Sequence, residues 1–169
     1  VAGRIEPAIA KLNTQGDIDW IKSYANISNQ VAIAFSVEQT NDGGYILSGL
    51  ASYGSSPISL ESNGFIIKTD NSGNLMWSII DSMTGVVIDV KQTTDGGYIY
   101  ISNYGTDFPT YIALNKIDPS GNNLWNKSFT NLNYWAMSNI EQTNDGGYVL
   151  CGTSIDTTIG IWNLLLIKT

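Results

Sequence analysis

The sequence predicts an all-β protein assembled from tandem four-stranded antiparallel units of about fifty residues. Three features predict it. The 169 residues include 17 glycines and are 11% aromatic but only 14% charged, poor in the Lys and Glu of helix-rich domains. A glycine-rich hairpin motif recurs three times, and a second, tryptophan-bearing motif alternates with it.

The first motif is Glu38-Gln39-Thr40-Asn41-Asp42-Gly43-Gly44-Tyr45, then Lys91 through Asp95-Gly96-Gly97-Tyr98, then Glu141 through Asp145-Gly146-Gly147-Tyr148. Fifty-three positions separate Asp42 from Asp95, and fifty separate Asp95 from Asp145. Asp-Gly-Gly between β-forming residues reads as a tight hairpin turn, because glycine accepts the positive φ such turns need. The second motif runs from Lys11 to Trp20, from Lys68 to Trp77 and from Lys116 to Trp125, with Gly five positions and Trp nine positions after each Lys. Its Asp-Asn-Ser-Gly and Asp-Pro-Ser-Gly segments suit a type I turn closed by a left-handed Gly.

One unit is therefore strand a near 34–40, strand b over 44–50, strand c over 64–70 and strand d over 74–80. The second spans about 86–129 and the third starts near 136. This divides the chain into a partial unit over 1–30, units over 31–82 and 83–132, and a partial unit over 133–169. Val1-Ala2-Gly3 matches Leu47-Ser48-Gly49 and Leu150-Cys151-Gly152, which places a strand b at the start, and Ile167-Lys168-Thr169 begins a further strand-c motif. The expectation is an incomplete segment of a longer array.

Charge narrows the function classes. The net charge is −7 with no basic cluster, so phosphate-neutralising contacts with nucleic acid are disfavoured, as is attraction to anionic membranes. No apolar run approaches the roughly eighteen residues of a helical membrane span. Cys151 is the single cysteine, so no internal disulfide can form. Histidine is absent, which removes the commonest general base and metal ligand.

Asp70…Gly73…Trp77 and Asp118…Gly121…Trp125 resemble the tryptophan-docking motif of quinoprotein-type β-propellers. Together with the Asp-Gly-Gly-Tyr hairpin they are similar to blade repeats of secreted bacterial and archaeal surface proteins. The resemblance implies a β-propeller of four-stranded antiparallel blades, with Trp20, Trp77 and Trp125 each packing on the neighbouring blade. It implies an extracellular or cell-surface setting, but no particular function, because the architecture hosts enzymes, lectins and scaffolds alike. The vicinal cysteines and calcium site of quinoproteins have no counterpart beside the solitary Cys151, so no cofactor is expected.

Candidate chemistry is sparse. Asp42, Asp95 and Asp145 read as turn formers bonding nearby amides rather than as a carboxylate ring. Asp70-Asn71-Ser72-Gly73 lacks the bidentate Glu and spacing of a calcium loop. Lys11, Lys68, Lys116 and Lys168 share one register and read as structural, Lys68 pairing for example with Asp70. Gln39, Gln92 and Gln142 read as hydrogen-bonding residues near the centre. Ligand binding is expected where repeat symmetry breaks, with Tyr104, Phe108, Tyr111, Tyr134 and Trp135 the candidates. Asn26 and Asn126 head glycosylation sequons. These observations lead to a non-catalytic module with structural or protein-interaction roles, including self-association. A carbohydrate-binding propeller is the second reading, and a hydrolase or quinoprotein fragment is a distant third.

Overall fold

The computed structural model describes residues 5–25, 27, 31–52, 62–82, 85–104, 111–129, 134–156 and 158–169. Every strand-to-strand reversal at an Asp-Gly-Gly motif has the same construction. Gly43, Gly96 and Gly146 hold φ of +80°, +82° and +83°, a region that L side chains avoid. Thr40 N–H donates to Gly44 O at 2.9 Å and Gly43 N–H to Thr40 O at 2.8 Å, closing the turn.

The described residues form thirteen strands: β1 (Ala8–Leu12), β2 (Ile18–Ser23), β3 (Val31–Gln39), β4 (Tyr45–Ser52), β5 (Ser62–Thr69), β6 (Leu75–Asp81), β7 (Val86–Gln92), β8 (Tyr98–Tyr104), β9 (Tyr111–Ile117), β10 (Asn123–Phe129), β11 (Tyr134–Gln142), β12 (Tyr148–Asp156) and β13 (Ile161–Lys168). They form four antiparallel sheets, β1-β2, β3-β4-β5-β6, β7-β8-β9-β10 and β11-β12-β13, each pairing only consecutive strands. The expected strand over Val1–Gly3 lies outside the described residues.

Alternation along each strand sends neighbouring side chains to opposite faces, and here both faces are apolar. Leu47, Phe65 and Ile67 of the second sheet pack with Ile9, Tyr24 and Ile27 of the first unit. Ile46 and Ile66, on the other face, pack with Val87, Val90 and Tyr98 of the third sheet. Ile99, Ile112 and Leu114 of the third sheet then pack with Met137, Ile140 and Leu150 of the fourth. Each fully buried Ile, Leu or Phe contributes about 1.5–3 kcal/mol, so much of the stabilisation lies between units rather than within them.

A tryptophan marks each joint. Trp20, Trp77 and Trp125 stand edge-on or tilted against Tyr45, Tyr98 and Tyr148 of the following sheet, with ring centroids 5.7, 5.8 and 6.0 Å apart. These separations fall in the attractive range for aromatic pairs. The first strands β3, β7 and β11 also lie against one another across the sheets. Each carries a bulge at the same place, between Ala34 and Ser36, Val87 and Asp89, and Met137 and Asn139.

Candidate functional site

The recurring acids and lysines meet, but not as sequence proximity suggests. Lys68 reaches back to Asp42, 2.8 Å from its Oδ2, rather than to Asp70 two residues on. Antiparallel pairing explains the choice. With Tyr45 opposite Thr69, Lys68 sits beside the Asp-Gly-Gly turn and its ammonium lies over Gly44. Lys116–Asp95 and Lys168–Asp145 repeat the pair at 2.9 and 3.0 Å. Asp70 instead organises its own turn, accepting from Ser72 N–H and Asn74 N–H.

The second glycine of each motif is a steric requirement of this pair. A Cβ on Gly44 would stand 2.1 Å from Thr69 O and 2.7 Å from Lys68 Nζ, and Gly97 and Gly147 face the same two groups. Each acid is further held by a threonine hydroxyl and a glycine amide, as in Thr40 Oγ1–H and Gly44 N–H donating to Asp42 Oδ1. Thr40, Gly44 and Lys68 share Asp42 Oδ1 and Lys68 also holds Oδ2, so the acid joins the turn to strand β5.

The Lys68 and Thr40 hydrogen bonds hold Asp42 down from 3.8 to about 2, and those from Thr93 and Lys116 do the same for Asp95. The Thr143 and Lys168 bonds also lower Asp145. A carboxylate with a depressed folded-state pKa stabilises the fold above its unfolded pKa and ceases to do so as pH falls through the folded one. The melting temperature is therefore expected to fall as pH drops from about 4 towards 2. Circular-dichroism melts across that window check this, and an Asp42→Asn/Asp95→Asn variant should show a shallower slope. An unchanged slope in the variant would exclude these pairs as the cause.

Along the line of first strands lies a second polar system. Asp89, 2% exposed at the β7 bulge, accepts from Ser36 Oγ–H at 2.5 Å, Val90 N–H at 3.0 Å and Ile140 N–H at 3.0 Å. One carboxylate thereby ties three consecutive sheets. Two residues further along β7, Lys91 pairs with Glu141 at 3.4 Å. Burial works against the Lys91 ammonium, but Asp89, Glu141 and Glu38 more than offset it and raise its pKa. Burial also raises Glu38, against the opposing pull of Lys91. Gln92 Oε1 accepts from Asn41 N–H at 2.7 Å and Gln142 Oε1 from Thr94 N–H at 2.8 Å, so each glutamine closes the turn of the preceding unit.

The outer face of the fourth sheet is different in kind. Leu164 is 90% and Leu166 68% exposed, beside exposed Ile161 and Trp162. Counted from the motif lysine, their counterparts in the third unit are Ile112 and Leu114, both buried under the fourth sheet. The same positions are thus covered in the third sheet and open in the fourth. On the opposite end, Ala8, Ala10 and Ile21 of the first sheet face solvent.

Among the aromatic candidates, Tyr104, Tyr111, Tyr134 and Trp135 lie at the ends of β8, β9 and β11, where only the backbone is described, and Phe108 lies outside the described residues. Asn26 is likewise outside them, whereas Asn126 is exposed on β10. Cys151 is half-buried on β12. Sequence reasoning missed Asp89, although an acid inside the apolar run Val86-Val87-Ile88-Asp89-Val90 was a signal for it.

No protein-family model matches the chain, and no curated protein is detectably similar to it. A crystal structure of a protein of unknown function from Bacteroides caccae is similar in fold, with a TM-score of 0.60 at 15% sequence identity. The match covers 97% of this chain and 55% of that one, so the chain spans about half the length of the protein it resembles. At that identity the likeness is one of fold alone, an all-β repeat of antiparallel sheets.

Proposed function

We propose that the protein is a non-catalytic, extracellular or cell-surface module of β-propeller type, whose role is structural association through its terminal sheets. The packing of β3, β7 and β11 along one line supports the propeller reading, together with the Trp–Tyr contact at every joint. The single observation that carries the association is the open face of Leu164 and Leu166, whose counterparts Ile112 and Leu114 are buried beneath the next sheet.

A unit of the same repeat fits that face, and a second copy of this chain, docked head to tail, is the occupant put to the test. The uncovered face repeats the β8–β9 positions buried at the third joint, although among the described residues it lacks the tryptophan strand and the partner tyrosine that mark the internal joints. The copy's first sheet presents Ala8, Ala10 and Ile21, on the side that receives the preceding sheet at every internal joint. Such a contact is heterologous, so it extends to larger arrays unless geometry closes a ring.

Sedimentation velocity of the 169-residue chain should show concentration-dependent association up to about 100 μM. Leu164→Ser/Leu166→Ser on one end, or Ile21→Asp on the other, should abolish it without lowering thermal stability. Mixing the two variants should restore a pair and nothing larger, since one intact face remains on each. A wild-type chain that stays monomeric across the range overturns the reading.

A further inference from the structure

The three joints between sheets are built from equivalent positions, and the middle one departs from the others at four of them. Four residues after the motif tryptophan stand Tyr24, Asp81 and Phe129. Three residues before the motif lysine stand Phe65, Ala113 and Leu165, and one before it stand Ile67, Asn115 and Ile167. Two residues after the motif tyrosine stand Leu47, Tyr100 and Leu150. The first and third joints are therefore closed by wholly apolar side chains apart from one phenol, and these belong to their cores. The middle joint has an acid, an alanine, an amide and a phenol in their place.

Volume is lost as well as polarity gained. At the first joint the Tyr24 ring spans the gap and its O–H donates to Gly73 O at 2.9 Å. At the middle joint the shorter Asp81 accepts from Tyr100 O–H at 3.1 Å instead. The cross-strand pair Gly49–Phe65 becomes Ser102–Ala113, and returns as Gly152–Leu165 in the fourth sheet. The result is a cleft of about 410 Å³ between the second and third sheets, within the range of about 300–1,000 Å³ typical of small-molecule sites.

We infer that this cleft is a binding site for a neutral, hydroxyl-rich ligand, a single sugar residue or its disaccharide. Ile79, Ile117 and the Tyr100 ring give it an apolar floor, while Asp81, Asn115, Asn126 and Ser128 supply acceptors and donors around the sides. Asn115 is 7% exposed and is fixed by its amide donating to Ser102 Oγ at 3.1 Å. That combination matches a pyranose, whose C–H face is apolar and whose hydroxyls each donate and accept. Among the described residues no lysine or arginine lines the cleft, which disfavours an anion. Burial and the Asp81 charge raise the Tyr100 pKa, and its proton is held by Asp81, which leaves the phenol oxygen to accept. The site is independent of the terminal faces that carry self-association.

Two-dimensional NMR of the side-chain amides tests it, with glucose, galactose, mannose, N-acetylglucosamine and the β1,4-linked disaccharides of glucose and N-acetylglucosamine as probes. At least one should shift the Asn115 and Asn126 resonances at or below about 20 mM. Ala113→Leu, which installs the residue of the fourth sheet, should weaken that sugar by about tenfold or more while keeping or raising the melting temperature. Asn126→Ala, at an exposed position that leaves folding intact, should weaken it too. The inference is overturned if no sugar of the panel moves these resonances or if the shifts survive both variants. It is equally overturned if only a cationic probe, methylammonium, produces them.

Discussion

Lys68→Ala is expected to destabilise the protein by about 3–5 kcal/mol, whereas Lys168→Ala should cost less than about 1 kcal/mol. The two lysines make the same contacts: Asp42 and Thr69 O for one, Asp145 and Thr169 O for the other. They differ in what lies above them, since Lys68 is 2% and Lys168 44% exposed. Removing the buried one takes a donor from a buried carbonyl and leaves a cavity where its methylene stem packed. Water fills the place of the exposed one. Lys68→Met should recover part of the loss by refilling the stem volume. Denaturant titrations of the three variants decide the matter. Equal costs at positions 68 and 168 would show that the ion pair acts through the turn alone and not through burial.

Asp89→Ala is expected to cost about 3–4 kcal/mol, because it strands donors on three sheets at once. Asp89→Asn should fall between alanine and wild type for a reason of geometry. Its amide nitrogen can face Ser36, whose hydroxyl turns to accept, while its carbonyl keeps Ile140 N–H. Val90 N–H then loses the oxygen it shares with Ser36. The expected order in chemical denaturation is wild type, Asn, Ala. An asparagine variant as stable as wild type would show that water serves Val90 N–H.

The hairpins and the pairing of consecutive strands were legible because they rest on local chemistry. Asp-Gly-Gly announces a turn by itself, and a fifty-residue period announces repetition. The lysine partner was not legible from local spacing. Asp70 is two residues from Lys68 and Asp42 is twenty-six away, and only the register of β4 against β5 brings the distant one closer. Asp89 was obscured in a different way. A bulge turns its side chain between sheets, and a two-residue alternation does not reveal a bulge. The middle joint was hidden because motif comparison rewards positions that agree. Asp81, Ala113 and Asn115 become visible when the positions between motifs are compared as carefully as the motifs themselves.

The glutamine bridges carry a consequence for how such an array grows. Gln92 completes the turn of the unit before it, and Gln142 completes the next, so each addition finishes its predecessor. The series of sheets has a direction, and its energetic quantum is the boundary rather than the single sheet. Duplicating a unit adds a boundary of known chemistry at once. Altering one boundary, as between the second and third sheets, leaves the others able to hold the chain while that one diverges.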